Sequence, residues 1–194
     1  MIIKNKLAML AGLALAGCLA GVPSTAGAST NHVKPIHITS GIMNGLALDA
    51  SGWGGAGKCS EPRAGDPLVI WTTARAGCAG DWHLLSKWQV EYAPDGILSN
   101  LCVTANPVID VQWRLERCTP GGSQSQNLVA LSSVIGGWML VATGETLVDR
   151  QGRPIGHELS PAMNNRGYGG DGSHIISWLP DSEENETWDV PGAV

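Results

Sequence analysis

The sequence contains no phenylalanine and only two tyrosines in 194 residues. Aromatic burial must therefore come from its eight tryptophans, each able to remove about 150–250 Å² from water. Charge is sparse too, at 15% of residues, and the 12 basic side chains are outnumbered by 17 acidic ones. That balance argues against nucleic acid or an anionic membrane surface as partner, since both need a basic patch. No run of like charges is long enough to form a solvated tail. Sustained 3.6-residue periodicity with caps is missing beyond the N-terminal stretch, so helices are expected to be few and short. Catalytic frameworks are lacking as well. There is no Gly-x-Ser-x-Gly elbow and no His-Glu-x-x-His helix. His157-Glu158 has no second histidine in that spacing, and Asp171-Gly172-Ser173-His174 has no motif around it. No C-x-x-C pair points to zinc. The chain is read as a non-enzyme, without metal or cofactor.

The N-terminal stretch has the form of a processing signal. Lys4 and Lys6 precede an apolar run from Leu7 to Ala20, and Ala26-Gly27-Ala28 offers a small-residue cleavage site. The run is too short and too rich in Gly and Ala to serve as a membrane span. Residues 1–28 are thus expected to be a signal peptide, leaving a secreted, extracellular chain of 194 − 28 = 166 residues. Leu15-Ala16-Gly17-Cys18 supports an alternative, a lipoprotein signal over 1–17 that leaves Cys18 lipidated and anchors the chain to the cell envelope. With Lys4 and Lys6 removed, 10 basic residues face 17 acidic ones, a formal charge of −7.

Four of the five cysteines lie beyond the leader: Cys59, Cys78, Cys102 and Cys118. In an exported chain they imply two disulfides, with three connectivities possible. The pairings Cys102–Cys118 and Cys59–Cys78 are favoured because each closes a local loop.

Residues 29–41 carry Pro35 and no clear period, and are expected to form a flexible lead-in or an edge segment. From Leu46 onward, short apolar runs alternate with Gly, Pro, Asn and Asp. Pro67-Leu-Val-Ile-Trp71, Lys87-Trp-Gln-Val-Glu-Tyr92 and Val108-Ile-Asp-Val-Gln-Trp113 read as strands. Ala93-Pro94-Asp95-Gly96 reads as a turn. With 26 glycines and turns this closely spaced, the pattern fits an all-β protein closed into a barrel-like shape.

A repeat sharpens that reading. Leu101-Cys102-Val103-Thr104-Ala105 is echoed by Leu46-Ala47-Leu48-Asp49-Ala50 and by Trp138-Met139-Leu140-Val141-Ala142-Thr143. A second echo joins Ser86-Lys87-Trp88, Gln126-Asn127-Leu128 and Glu186-Thr187-Trp188. The separations from Leu48 to Trp88, Val103 to Leu128 and Val141 to Trp188 are 40, 25 and 47 residues. The third unit is expected to be swollen by an irregular loop that includes residues 164–172.

Over residues 42–190 these motifs resemble the ricin-type β-trefoil lectin domain, built from three four-stranded units around a pseudo-threefold axis. Cys102 and Cys118 match that family's within-repeat disulfide, and the second echo resembles a degenerate Gln-x-Trp signature. The resemblance implies an all-β trefoil over 42–192, with Trp88, Leu128 and Trp188 in its core. It also implies a sugar platform in each repeat: an Asp ending the first strand, an aromatic for stacking, and an Asn before the Gln-x-Trp. Sugar hydroxyls suit a carboxylate that accepts with both oxygens, and weakly polarised sugar C–H groups suit an aromatic face.

Carried over by position, Asp49 and Trp71 match the first repeat, whereas Leu85 occupies its Asn position. Thr104 and Glu116 replace the Asp and the aromatic in the second repeat. Ala142 replaces the third Asp, and Asn185 keeps the closing Asn. Trp53, flanked by glycines, is expected to add a stacking surface, and Trp82 with His83 to line the same pocket from a loop. The implied function is a non-catalytic carbohydrate-binding module with partly eroded sites, its partner a carbohydrate or glycoconjugate. The alternative is a protein-recognition or toxin-subunit-like module on the same scaffold.

Overall fold

In a computed structural model, the residues described are 32–41, 45–50, 63–72, 80–85, 89–155, 162–165, 172–181 and 184–192. The leader, Cys18, Trp53, Cys59, Cys78 and Trp88 lie outside them. Twelve short strands and two 3-10 turns, Pro94–Gly96 and Glu184–Glu186, make up the regular structure of the described residues. No α-helix occurs among them. The strands are β1 (Thr39–Ser40), β2 (Leu46–Asp49), β3 (Val69–Thr72), β4 (Trp82–Leu84), β5 (Val90–Tyr92) and β6 (Leu101–Thr104). They continue with β7 (Arg114–Arg117), β8 (Leu128–Ser132), β9 (Trp138–Ala142), β10 (Ala162–Asn165), β11 (Ile175–Trp178) and β12 (Trp188–Asp189).

Pairing divides these strands into three equivalent antiparallel modules: β4-β5-β6-β7, β8-β9-β10-β11 and β12-β1-β2-β3. The registers coincide position by position. The opening strand pairs place Trp82 opposite Tyr92, Leu128 opposite Ala142 and Trp188 opposite Ser40. The middle steps pair Glu91 with Cys102, Val141 with Ala162 and Thr39 with Ala47. Closing hairpins pair Cys102 with Glu116, Ala162 with Trp178 and Ala47 with Trp71. A cyclic triad of backbone hydrogen bonds marks the axis. The Leu68 N–H donates to Trp113 O at 3.0 Å, Trp113 N–H to Ile175 O at 2.9 Å, and Ile175 N–H to Leu68 O at 3.0 Å. The protein is a β-trefoil.

The register moves two of the repeat boundaries read from sequence. The third repeat opens on Ala162-Met163-Asn164-Asn165, not on the stretch from Trp138, which closes the second repeat as β9. Asn164 and Asn165 are therefore strand residues rather than part of a loop. In the first repeat the large core aromatic is Trp82, from Gly80-Asp81-Trp82, and not a loop residue. Counted this way, Leu48 to Trp82, Val103 to Leu128 and Met163 to Trp188 span 34, 25 and 25 residues, closer to equal than 40, 25 and 47. The indoles agree: Trp82 Nε1 donates to Leu48 O at 3.1 Å, and Trp188 Nε1 to the equivalent Met163 O at 2.9 Å. A strand expected over residues 108–113 is instead a turn, with Asp110 at φ 62°; the strand begins at Arg114.

Residues 32–41 are not a flexible lead-in. They supply the fourth strand of the third repeat, lying between β12 and β2, so the chain enters the fold on its last strand. Ile38 is completely buried, and Ile36 exchanges backbone hydrogen bonds with Trp82 at 2.8 and 2.9 Å. Val33 N–H donates to Gly96 O at 2.9 Å. Gly96 has φ +78°, and an added Cβ would strike the Val33 carbonyl, so only glycine permits this approach.

One four-stranded module cannot cover its own apolar face; three around an axis can. The shared core takes Leu48, Val103 and Met163 from equivalent first strands, Ile70 and Leu115 from second strands, and Trp82, Leu128 and Trp188 from third strands. Leu128 and Trp188 are 1% exposed, as the resemblance implies. The Cys102–Cys118 disulfide is present and spans 16 positions, bridging β6 to the residue after β7. A loop of this size stabilises a fold by on the order of 3 kcal/mol. Cys102→Ala/Cys118→Ala is accordingly expected to lower the urea midpoint, and to steepen the slope slightly as the released unfolded chain exposes more surface. An unaltered midpoint would show that the bridge contributes nothing.

Candidate functional site

On each closing hairpin, a residue near the end of the first strand and the residue two beyond its pairing partner on the second stand diagonally on one face. Such diagonal neighbours are about 7–8 Å apart, within reach of long side chains. Threefold equivalence then gives three comparable platforms. The first has Asp49 and Trp71, the second Thr104 and Glu116, the third Asn164 and Trp178. The polar slot two residues before Trp82, Leu128 and Trp188 holds Gly80, Gln126 and Glu186 respectively. The closing position holds residue 79, outside the described residues, then Ser125 and Asn185.

In the second repeat, Gln126 shows what the polar slot does. It is 2% exposed. Its Oε1 accepts the Thr119 N–H at 2.9 Å, and its Nε2 donates to Thr104 Oγ1 at 3.0 Å and Arg117 O at 2.9 Å. The side chain ties the end of the first strand to the chain beyond the second. Glu186 occupies the same slot in the third repeat and is completely buried. Its Oε2 accepts the Asp181 N–H at 3.1 Å, and its Oε1 accepts Asn164 Nδ2 at 3.3 Å. Burial, followed by the adjacent Asp181 charge, pushes its pKa up to about 8.

The third platform is the most complete. Asn185 Nδ2 donates to Asn164 Oδ1 at 3.2 Å, so Asn185, Asn164 and Glu186 form one hydrogen-bonded row beneath the hairpin. Asn185 Oδ1 is buried and accepts no hydrogen bond among the described residues. Trp178 remains partly exposed at the stacking position. Sequence reasoning found Asn185 but set it against Ala142, and it missed Asn164 and Trp178. The available signal was Ile175-Ile176-Ser177-Trp178, which repeats the cadence of Leu68-Val69-Ile70-Trp71.

The first platform differs. Asp49 is completely buried, and its charge, after burial itself and together with Asp81 and Asp95, raises the Tyr92 hydroxyl pKa. Trp71 is partly exposed, its indole N–H is buried without an acceptor among the described residues, and Gly172 lies against the far edge of its ring. Leu85, assigned from sequence to the closing position, belongs to the β4–β5 hairpin instead. Trp82 fills the core, and His83, beside it on β4, is half-buried. The position of Trp53 is outside the described residues. Among those residues, no group of three or more His, Cys, Asp or Glu could hold a metal ion.

No protein-family model matches the sequence, and no curated protein does either. Solved structures do match. The β-trefoil lectin of the Vibrio vulnificus hemolysin/cytolysin, with N-acetyl-D-lactosamine bound, superposes with a TM-score of 0.54 at 17% identity, covering 80% of this chain and 91% of that one. The designed threefold-symmetric protein ThreeFoil gives 0.55 at 14% identity, covering 79% and 94%. The C-half of an earthworm R-type lectin, in complex with GalNAc, gives 0.52 at 13% identity, covering 80% and 96%. At such identities the likeness establishes the fold.

Proposed function

We propose that the protein is an exported, non-catalytic carbohydrate-binding module whose principal sugar contact is the third-repeat platform. The observation that carries this reading is the gathering of Asn164, Trp178 and Asn185 on one hairpin face. Trp178 offers an aromatic surface to the apolar face of a pyranose. Asn164 and Asn185 are 2% and 7% exposed and bonded to each other; on binding they would exchange that bond for neighbouring hydroxyls, since amides both donate and accept. The Asp49–Trp71 pair forms a second, more enclosed site. Two fold neighbours carry N-acetyl-D-lactosamine and GalNAc, which makes those sugars the first probes. Export rests on the leader signature over residues 1–28, with lipidation at Cys18 as its variant form.

Titration of the purified mature protein with both sugars tests the site. Trp178→Ala is expected to weaken binding at least about tenfold, equivalent to 1.4 kcal/mol, with Asn185→Ala losing a similar factor. Trp71→Ala should have the smaller effect. If Trp178→Ala leaves affinity unchanged, the third platform is not the sugar site.

A second reading, protein recognition, draws on the β8–β9 hairpin. Leu131 is 41%, Val134 90% and Ile135 46% exposed, an apolar tip of the sort found at protein contacts. Free sugar should displace a glycan-mediated partner and leave a partner held by this tip in place.

A further inference from the structure

A cavity of about 270 Å³ lies between the first and second repeats, lined by Arg63, Ala64, Ser99, Asn100, Leu101 and Arg117. Its backbone walls are fixed. Gly65 N–H donates to Leu115 O at 2.7 Å and Leu115 N–H to Asp66 O at 2.8 Å, pinning the Arg63 turn against β7. On the opposite wall, Cys118 N–H donates to Asn100 O at 3.1 Å, beside the Cys102–Cys118 bridge. Ser99 Oγ donates to Tyr92 O at 2.7 Å. Asn100 holds a left-handed backbone, φ 59°.

Two guanidiniums stand on this rigid frame, and neither makes an ion pair among the described residues. Arg150 pairs with Asp110 at 3.2 Å and Arg153 with Asp149 at 2.6 Å, whereas exposed Arg114, on β7, makes no ion pair among the described residues. Among the described residues the lining contains no carboxylate. Two acids that hydrogen-bond to lining residues are engaged by backbone donors: Asp66 Oδ2 accepts the Arg63 N–H at 2.7 Å, and Glu91 Oε1 accepts the Asn100 N–H at 2.6 Å. Two arginines without an ion pair among the described residues thus line one cavity in a chain of net charge −5.

We infer that this cavity is a binding site for a single oxyanion group — sulfate, phosphate or carboxylate — held between Arg63 and Arg117. Guanidiniums match such groups with paired N–H donors, and the exposed Asn100 amide adds a further donor at the rim. The site is distinct from the sugar platforms and does not depend on them.

Calorimetric titration with inorganic sulfate and inorganic phosphate tests the assignment, using sodium chloride at matched ionic strength as the blank. Saturable binding of at least one oxyanion is expected. Arg63→Gln and Arg117→Gln should each weaken it about tenfold, as loss of one charge-assisted contact does. Arg153→Gln should leave it unchanged. A parallel titration with galactose 6-sulfate and with galacturonate identifies the source. Tighter binding than inorganic sulfate assigns the anion to an acidic glycan, whereas equal or weaker binding assigns a free ion. Heats no different from the chloride blank would overturn the proposal. So would saturable binding that survives the double substitution. Both arginines are exposed, so the variants should fold, and an unchanged thermal midpoint would verify it.

Discussion

Trp113→Ala is expected to lower the unfolding free energy by about 3–5 kcal/mol, the range for emptying a large core site. The indole is completely buried, and its Nε1 donates to Ser177 Oγ at 2.7 Å. That serine in turn donates to Asn106 O. Two contributions can be separated by size. Burial of a large aromatic at roughly 25 cal/mol per Å² is worth several kcal/mol, whereas a neutral hydrogen bond nets about 1 kcal/mol. Trp113→Phe, which keeps most of the ring and loses the N–H, should therefore cost about 1–2 kcal/mol. Leu131→Ala, on the exposed face of β8, should cost less than about 1 kcal/mol. Urea midpoints at constant slope measure all three. A Trp113→Ala loss no larger than that of Leu131→Ala would remove Trp113 from the interior, and with it the cyclic hydrogen-bond triad at the pseudo-threefold axis. Should Trp113→Ala fail to fold, Trp113→Phe still gives the comparison.

Glu186→Gln is expected to stabilise the protein near neutral pH and to flatten its pH dependence. An acid whose pKa is higher in the folded chain than in the unfolded one holds its proton more tightly when folded. Stability is then full below the unfolded value, about 4.5, and declines as pH rises until the folded value, about 8, is passed. Burial is the main cause and the Asp181 charge a lesser one. At 1.36 kcal/mol per unit the full rise corresponds to about 5 kcal/mol, which solvent screening reduces to roughly 2–4 kcal/mol. Glutamine removes the ionisation. It also fits, because Gln126 fills the equivalent slot with both ends of its amide hydrogen-bonded. Asn164 and Asn185 need only flip their amides to present Asn164 Oδ1 to the new N–H donor, and Asn185 Oδ1, which has no donor now among the described residues, would accept from Asn164. Thermal midpoints between pH 5 and 9 should fall for the natural chain and stay nearly level for Glu186→Gln. Parallel curves for the two would refute the buried, protonated carboxyl.

Because Glu186 carries the row that orients Asn164, the same ionisation bears on the third sugar platform. A carboxylate repelled by Asp181 is less well held in the slot, so sugar affinity should fall at alkaline pH along with stability. Glu186→Gln should retain it.

Much of the fold was legible in the residues. Alternating apolar runs between Gly, Pro, Asn and Asp marked strands because backbone pleat and turn geometry are local properties. The spacing of Cys102 and Cys118 was legible for the same reason, since their bridge closes a short hairpin. Lacking phenylalanine, the chain had to use tryptophan at its core, and it does so at Trp82, Trp113 and Trp188.

Register and closure were decided only in three dimensions. Trp138-Met139-Leu140-Val141-Ala142 and Ala162-Met163-Asn164-Asn165 are both apolar strands, and only hydrogen bonding to β8 and β11 shows which one opens the third repeat. Likewise, the sequence does not single out Trp82 for the core; in the fold its indole N–H reaches Leu48 O. Residues 32–41 looked like a lead-in because their partners, Trp188 and Asp189, lie almost 150 positions away. The Asn164–Trp178–Asn185 platform was hidden for that reason too: its parts sit on β10, β11 and the turn before β12, and pairing between strands, which sequence does not record, brings them onto one face.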